Sequence, residues 1–220
     1  LGGAISLGKT DGTRPAGILN LRTSVLAQNT SVTDGGAVYG GVGNVNLFRA
    51  VLTANSAANG GAVAMSVSSD GALNITNSLV VNNTSGTGGA IEAWKLRVTN
   101  TTIAANNGIG LAFQRASLTD IRAARGSATF ENSIVANNSG PNCARSPIVA
   151  RNVTLIDGGN NLQFPGASCG ETIVSSDPRI DSYFVPHPES VARNAGNQSI
   201  CDGQFVKNRD VYNEARPQGL

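Results

Sequence analysis

One tetrapeptide recurs along the chain and restricts the folds that it can adopt. Gly-Gly-Ala-Ile or Gly-Gly-Ala-Val begins at residues 2, 35, 60 and 88, and a degenerate fifth copy begins at residue 108. Each copy is followed by a second phrase that ends in Asn. These phrases are Leu21–Asn29, Leu47–Asn55, Ile75–Asn83, Val98–Asn106 and Phe130–Asn138. A repeat of roughly 25–33 residues indicates an architecture in which each unit stacks on the next.

Alignment of the phrases gives two apolar columns and one asparagine column. The apolar columns are Leu21, Leu47, Ile75, Val98 and Phe130, followed by Leu26, Leu52, Val80, Ile103 and Val135. Apolar and polar residues alternate at a period of two, as in Leu73-Asn74-Ile75, which indicates β-strands. Leucine-rich repeats need a Leu-x-x-Leu-x-Leu scaffold, and ankyrin or tetratricopeptide repeats need helices, and the sequence has neither.

A parallel β-helix satisfies these constraints, because each repeat then forms one coil that pairs with the next coil about 4.8 Å away. We therefore predict an all-β, right-handed, single-stranded parallel β-helix of about five to six coils. Few charges are expected in stacked columns, and only 14% of the residues are charged. Tight bends need positive φ, which glycine and asparagine supply. Stacked asparagines can also form hydrogen-bonded ladders, and we expect an inward ladder of Asn77, Asn100 and Asn132.

The repeat pattern ends near residue 161, and the remaining chain contains several prolines. We assign residues 1–164 to the coils, with an insert at residues 114–126, and residues 165–220 to an irregular C-terminal cap packed on the last coil. The chain begins within a repeat, so we expect either a piece of a longer chain or association through an uncapped first coil.

Net charge disfavours nucleic acid as a partner, and hydropathy disfavours a membrane-spanning helix. A net charge of +2 without a basic cluster gives no electrostatic case for nucleic acid. No apolar run approaches the ~18–20 residues that a membrane-spanning helix requires. Nothing in the sequence indicates a cofactor.

Three cysteines suggest a disulfide and not a metal site. Cys143 and Cys169 are about one coil apart, which predicts a bridge between adjacent coils, and buried free thiols are the alternative. Cys201 then has no partner. No Cys-x-x-Cys or Cys/His spacing is present, so we predict no metal site.

The repeats resemble those of bacterial secreted right-handed β-helix proteins. The phrase Asn-Ser-(Ile/Leu)-Val-x-Asn-Asn, at Asn77–Asn83 and Asn132–Asn138, is similar to polymorphic-outer-membrane-protein-like repeats and to the choice-of-anchor Q group. The C-terminal motifs follow the order of the second group: Asn142-Cys143, Gly159-Asn160-Asn161-Leu162, Ser168-Cys169-Gly170, Ser176-Asp177-Pro178-Arg179-Ile180, Ala195-Gly196-Asn197, Cys201 and Arg216-Pro217-Gln218-Gly219.

Two departures qualify this resemblance. The Phe-x-x-Asn partner of Gly-Gly-Ala-Ile in chlamydial proteins is not seen in the repeats, which disfavours that branch. In the second group a further Cys follows Arg-Pro-x-Gly, whereas this chain ends at Leu220, so we expect a truncated cap and an unpaired Cys201. The resemblance implies export and a secreted or bacterial cell-surface location, but the group has no common activity.

Candidate site residues are few. A polysaccharide lyase or glycosidase needs clustered or paired carboxylates, and the candidates are Glu92 and Asp120 with Arg115, provided that the insert folds over Trp94. A sugar-stacking patch is a second possibility, with ordinary packing of the rings at the rim as its alternative. The candidate ligand-binding residues are Tyr39, Trp94, Lys95 and Arg97.

The leading functional hypothesis is a non-catalytic, secreted or cell-surface module, adhesin- or stalk-like, that presents loops to a glycan or to another surface protein. The alternative is a fragment of a polysaccharide-active enzyme with a groove on a lateral face. A chaperone-like or self-assembling piece is a third class, suggested by the uncapped first coil.

Overall fold

The computed structural model describes residues 2–8, 17–41, 43–66, 71–113, 126–145 and 153–216. Within these ranges the chain forms three parallel sheets, named A, B and C in the order in which each coil visits them. Sheet A contains β1 (Ile5–Leu7), β4 (Val38–Gly40), β8 (Val63–Met65), β11 (Thr84–Glu92), β14 (Asn107–Phe113) and β17 (Cys143–Arg145), and β7 (Ser56–Ala57) pairs with β11.

The other two sheets complete each coil. Sheet B contains β2 (Gly17–Arg22), β5 (Gly43–Phe48), β9 (Leu73–Thr76), β12 (Lys95–Thr99), β15 (Gly126–Glu131) and β18 (Val153–Asp157). Sheet C contains β3 (Val25–Ala27), β6 (Val51–Thr53), β10 (Leu79–Val81), β13 (Thr102–Ala104), β16 (Ile134–Ala136), β19 (Leu162–Phe164) and β20 (Val174–Ser175). The described strands thus stack as a parallel β-helix of six coils, as the repeats predict, and its right-handed winding stays a prediction.

The register of the strands confirms the apolar columns. Leu47 pairs with Leu21 and Ile75, and the column continues through Val98 to Phe130. The second column, from Leu26 to Val135, is also in register. The side chains of both columns point into the space enclosed by the three sheets and form much of the core of the coils.

One non-glycine residue at each bend between sheets B and C has positive φ, and we call this set the bend column. Its members are Thr23, Arg49, Asn77, Asn100, Asn132 and Asn160, with φ of 48°, 50°, 53°, 49°, 51° and 58°. Asparagine adopts this left-handed conformation more readily than most residues, because its short polar side chain can hydrogen-bond locally. The bends therefore explain part of the asparagine content of the chain.

An asparagine ladder is present, but its members are not those predicted. Asn55 donates through Nδ2 to Asn83 Oδ1 at 2.9 Å, and Asn83 donates to Asn106 Oδ1 at 3.1 Å. The backbone N–H of Asn55 also donates to Asn83 Oδ1, at 3.0 Å. We call this set the inner amide ladder; its members are Asn29, Asn55, Asn83, Asn106 and Asn138.

The prediction of an inward ladder of Asn77, Asn100 and Asn132 is wrong. These three residues occupy the bend column, and the side chains of Asn77 and Asn132 bond to the C-terminal part of the chain. At each bend the following residue turns inward instead, as Ser78 does when its hydroxyl accepts the N–H of Ala50 at 3.0 Å. The bend thus directs the left-handed residue away from the core.

Residues 165–175 lie on the last coil. Gln163, which is fully buried, accepts a hydrogen bond from Cys169 N–H at 2.9 Å and donates to the carbonyl of Ile173 at 2.9 Å. Cys169 and Ile173 belong to the core. The boundary at residue 164 stays a prediction.

Residues 177–216, here called the C-terminal segment, run back along the bend column and include the short helix α1 (Gln198–Cys201). Asn160 donates to the carbonyl of Ala195 at 2.6 Å in coil six, and Arg49 donates to Asn213 Oδ1 at 2.6 Å in coil two. The cap therefore contacts the side of the stack as well as its last coil.

The C-terminal segment covers apolar residues on the outer face of sheet C. Leu79, Val81 and Ala104 form a small buried cluster there. Val51 packs against this cluster from the neighbouring coil. From the C-terminal segment, the residues that pack against it are Ile180, Phe184 and Val211. The association of segment and coils is therefore apolar as well as hydrogen-bonded. Within the described ranges, no helix combines the length and the apolar character needed to cross a bilayer.

Candidate binding surface

The structure places Glu92 inside the molecule and leaves its proposed partners undetermined. Glu92 lies at the end of β11, in the same column as Tyr39 and Ala64, and is 4% exposed. Its Oε2 packs directly over Gly88. Arg115 and Asp120 lie outside the described residues, so their grouping with Glu92 stays a prediction. Among the described residues, no group of three His, Cys, Asp or Glu side chains is arranged to hold a metal ion.

The two aromatic candidates do not form an exposed platform. Tyr39 and Trp94 are each 4% exposed. The Trp94 indole lies against Gly126, where an added Cβ would be 3.0 Å from two ring carbons. Burial raises the pKa of the Tyr39 hydroxyl, a hydrogen bond with Ser66 lowers it, and the negative charge of Asp34 raises it further, which leaves it above its usual value.

The two cationic candidates lie on sheet B, where Lys95 begins β12 and Arg97 follows on the same face. Arg97 Nη2 is 2.7 Å from Glu131 Oε2 on the next coil, and their side chains are 58% and 19% exposed. Thr99 also donates to Glu131 Oε2, at 3.3 Å. The structure therefore brings the cations to an accessible face but ties Arg97 to a neighbouring strand.

Sequence reasoning missed a row of asparagines beside these cations. Asn46 Nδ2 donates to Asn20 Oδ1 at 2.9 Å, and Asn74 Nδ2 donates to Asn46 Oδ1 at 2.8 Å. We call Asn20, Asn46 and Asn74 the outer amide row; it leads in register to Arg97. An amide has two N–H donors and two acceptor lone pairs, so this ladder leaves donors and acceptors directed to solvent. The available signal was an Asn directly before the apolar column in three successive repeats.

Comparison of the three faces selects sheet B as the candidate binding surface. On sheet A, the outer face is closed in coils two to four, where Tyr39, Ala64 and Glu92 are 4%, 3% and 4% exposed, and is open at Ser6 in coil one. On sheet C, the C-terminal segment covers the outer face. On sheet B, Asn20 and Arg97 are exposed and the other members of the outer amide row are half-buried. The outer face of sheet B is thus the most accessible described face.

The predicted disulfide is confirmed. Cys143 and Cys169 are bonded, with their Cα atoms 4.9 Å apart. Cys201 is free and buried, and Asn132 Nδ2 lies 3.7 Å from its sulfur. Arg216 also hydrogen-bonds to Cys201; burial lowers the pKa of Arg216, against the opposing effects of Cys201 and Asp210. The C-terminal segment thus brings a half-buried cation next to a buried thiol.

Comparison with known proteins identifies a distant relative. No family model matches the chain, and no solved structure matches it. The probable outer membrane protein pmp7 of Chlamydia pneumoniae is 28% identical over 220 aligned residues, which cover 96% of this chain and 22% of the relative. The chain therefore spans about a fifth of that protein's length. This match supports the resemblance to chlamydial polymorphic outer membrane proteins. The absence of Phe-x-x-Asn from the repeats had disfavoured that resemblance. The chain is thus a parallel-strand solenoid that is distantly similar in sequence to a chlamydial polymorphic outer membrane protein.

Proposed function

We propose that the chain is a non-catalytic module of a secreted or cell-surface protein, adhesin- or stalk-like, whose outer face of sheet B binds a glycan or a partner protein. The observation that carries this proposal is the in-register stacking of six coils. At about 4.8 Å per coil, the stack is roughly 25–30 Å long. Its side chains are held at fixed intervals along the axis, as a rigid display surface requires.

Location and fold support this role together. The relative is named as an outer membrane protein, and the bond between Cys143 and Cys169 fits an oxidising, extracytoplasmic compartment. The alignment covers 22% of the relative, so the role that we propose concerns the aligned part alone.

The position of Glu92 favours binding over turnover. Glu92 is buried on the closed face of sheet A, and the other two catalytic candidates, Arg115 and Asp120, lie outside the described residues. General acid catalysis on a polysaccharide requires a carboxyl group within reach of the glycosidic oxygen. On the outer face of sheet B the accessible polar groups include amides and cations, which recognise hydroxyl and acidic groups, and Ile18 and Ile156 add exposed apolar surface on the same face.

The outer amide row supplies the chemistry of recognition. Its amides share one hydrogen bond with each neighbour and keep further donors and acceptors for a ligand. Arg97 and Lys95 continue the surface with positive charge. A linear glycan with hydroxyl and carboxylate groups fits the amides and cations of this arrangement.

Binding of the purified chain to a glycan array and to host-cell surfaces tests the proposal. We expect saturable binding that Asn74→Ala weakens at least about fivefold, since hydrogen bonds to the ligand are lost. Asn107→Ala is the matched control, because Asn107 is an exposed asparagine on sheet A, and it should leave binding unchanged. Equal loss in both variants would contradict a role for sheet B.

A parallel assay with acidic and neutral polysaccharides separates binding from catalysis. We expect no new reducing ends and no unsaturated products. Turnover that disappears in Glu92→Gln would overturn the non-catalytic proposal and support the polysaccharide-active alternative. Association through the first coil, the remaining partner prediction, would appear as a concentration-dependent increase in sedimentation coefficient.

A further inference from the structure

A cleft of about 610 Å³ lies between the bend column and the C-terminal segment. Asn100, Thr102 and Ile134 line it from the coils, and Phe184, Val211 and Ala195 line it from the segment. Pockets that bind ligands commonly enclose about 300–1,000 Å³. The cleft lies on the side of the molecule where sheets B and C meet, away from the closed face of sheet A.

Asn100 presents an unsatisfied amide to this cleft. The residue is 5% exposed, and neither Nδ2 nor Oδ1 has a hydrogen-bond partner among the described residues. Buried polar groups are nearly always hydrogen-bonded, and an unsatisfied one needs a specific explanation. Asn100 thus places a buried donor and a buried acceptor, both without a partner among the described residues, at the wall of the cleft.

The neighbours of Asn100 in the bend column indicate what that group is. Asn77 donates to the carbonyl of Arg209 at 2.8 Å, and Asn160 donates to the carbonyl of Ala195. Asn132 donates to the carbonyl of Asn197 at 3.2 Å and accepts from its N–H at 2.8 Å. All three amides bind main-chain peptide groups of the C-terminal segment. Asn100 lies between Asn77 and Asn132 and has the same left-handed backbone, with φ of 49°.

We propose that the cleft binds an extended peptide whose main chain pairs with the Asn100 side chain. The peptide N–H donates to Oδ1 and a peptide carbonyl accepts from Nδ2, as Asn197 does with Asn132. The peptide thereby completes a row of main-chain contacts that the C-terminal segment leaves open at coil four.

The cleft selects a neutral peptide with apolar side chains. Its walls include Leu79, Ile134 and Phe184, which offer apolar surface. The nearby carboxylates are already used within their own loops: Asp181 accepts from two backbone N–H groups, and so does Asp210. The arginines of the lining, Arg193 and Arg216, also have interactions within the chain, and Arg216 donates to Asn77 Oδ1 at 3.2 Å. The apolar walls and the Asn100 amide are therefore the basis of recognition that we propose.

This inference does not depend on the proposed role of sheet B. The peptide cleft and the outer amide row share no residue, so one can fail without the other. The sheet B proposal is tested by glycans and cells, and the cleft is tested by short peptides.

Nuclear magnetic resonance of the ¹⁵N-labelled chain, titrated with the blocked peptide acetyl-Leu-Ala-Leu-amide, tests the proposal. We expect saturable shift changes at Thr102, Val211 and the Asn100 side-chain amide. Asn100→Gly should weaken binding by about tenfold, because glycine keeps the positive φ but removes the amide. Asn82→Gly is the control, since Asn82 has φ of 57° and is exposed on a different bend.

Two further arms make the test decisive. Asn100→Asp keeps an acceptor and removes the N–H donors, so it should also weaken binding if the pairing is correct. N-methylation of the central alanine removes its N–H, the donor that we expect to pair with Oδ1, and should weaken binding of the wild-type chain.

The proposal is overturned if the peptide causes no saturable shifts at millimolar concentration, or if Asn100→Gly binds it as tightly as Asn82→Gly. Chitotriose carries the same secondary amide in its acetamido groups. Binding of chitotriose without binding of the peptide would assign the cleft to amino sugars and overturn the peptide assignment.

Discussion

Asn132 binds both polar groups of one residue in the C-terminal segment. Its Oδ1 accepts from the N–H of Asn197 at 2.8 Å, and its Nδ2 donates to the carbonyl of Asn197 at 3.2 Å. The two residues are 65 positions apart in the sequence. This pair fixes the segment to coil five at the point where α1 begins.

We predict that Asn132→Gly lowers the free energy of unfolding by about 1–3 kcal/mol, because two hydrogen bonds are lost while the positive φ is retained. Asn137→Gly is the matched control, since Asn137 lies in the same coil, has φ of 55° and is exposed. Urea unfolding of the two variants measures the difference. Equal midpoints would mean that the pair does not stabilise the fold.

The inner amide ladder makes a larger contribution. Asn83→Ala removes the oxygen that accepts from both Asn55 N–H and Asn55 Nδ2, at 3.0 and 2.9 Å. Since buried donors are then unsatisfied, we expect a loss of at least about 3 kcal/mol. Asn74→Ala, in the outer amide row, should cost less than about 1 kcal/mol because water can replace its contacts. Chemical denaturation compares the two, and similar losses would contradict the inward position of the ladder.

From the raised pKa of the Tyr39 hydroxyl we predict that the folded chain loses stability in alkaline solution. Its pKa is raised in the folded state, chiefly by burial. Below the unfolded pKa of about 10, tyrosine is neutral in both states and its contribution is fully present. Above that pH the unfolded state releases the proton first, so the free energy of unfolding falls as the pH rises toward the folded pKa.

Urea unfolding between pH 8 and pH 11 measures this dependence. We expect Tyr39→Phe to show a smaller loss than the wild-type chain. Tyr183→Phe serves as the control because Tyr183 is exposed. A pH dependence that is identical in the Tyr39→Phe and wild-type chains would refute the prediction.

The bond between Cys143 and Cys169 closes a loop of 26 residues. From the chain-entropy relation, a loop of this length corresponds to about 3.5 kcal/mol of stabilisation. We expect a Cys143→Ala and Cys169→Ala double variant to unfold at a correspondingly lower urea concentration. Reducing agent should then shift the unfolding of the wild-type chain and of Cys201→Ala, but not that of the double variant.

The repeat columns were predictable because stacking imposes one rule on every coil. Residues at equivalent positions pair across the sheets, so Leu47 and Ile75 are neighbours for the same reason that their phrases align. The direction of the asparagines was not predictable from period alone. Asn82 and Asn83 are adjacent in sequence, yet the first is exposed at a bend and the second is buried in the ladder.

The path of the C-terminal segment could not be deduced from the sequence, since that region carries no repeat. Its position depends on contacts such as that between Arg49 and Asn213, which are 164 residues apart. The burial of Trp94 depends in part on the missing side chain at Gly126, which is a feature of packing and not of local pattern. The peptide cleft arises from the same long-range contacts.

The return of the C-terminal segment changes how this solenoid should unfold. In most repeat proteins each unit contacts only its nearest neighbours, so the ends can fray one unit at a time. Here the contacts at Asn160 and at Arg49 connect coil six to coil two through a single stretch of chain. Fraying at one end releases contacts near the other, and the coils between them are expected to melt as one cooperative unit.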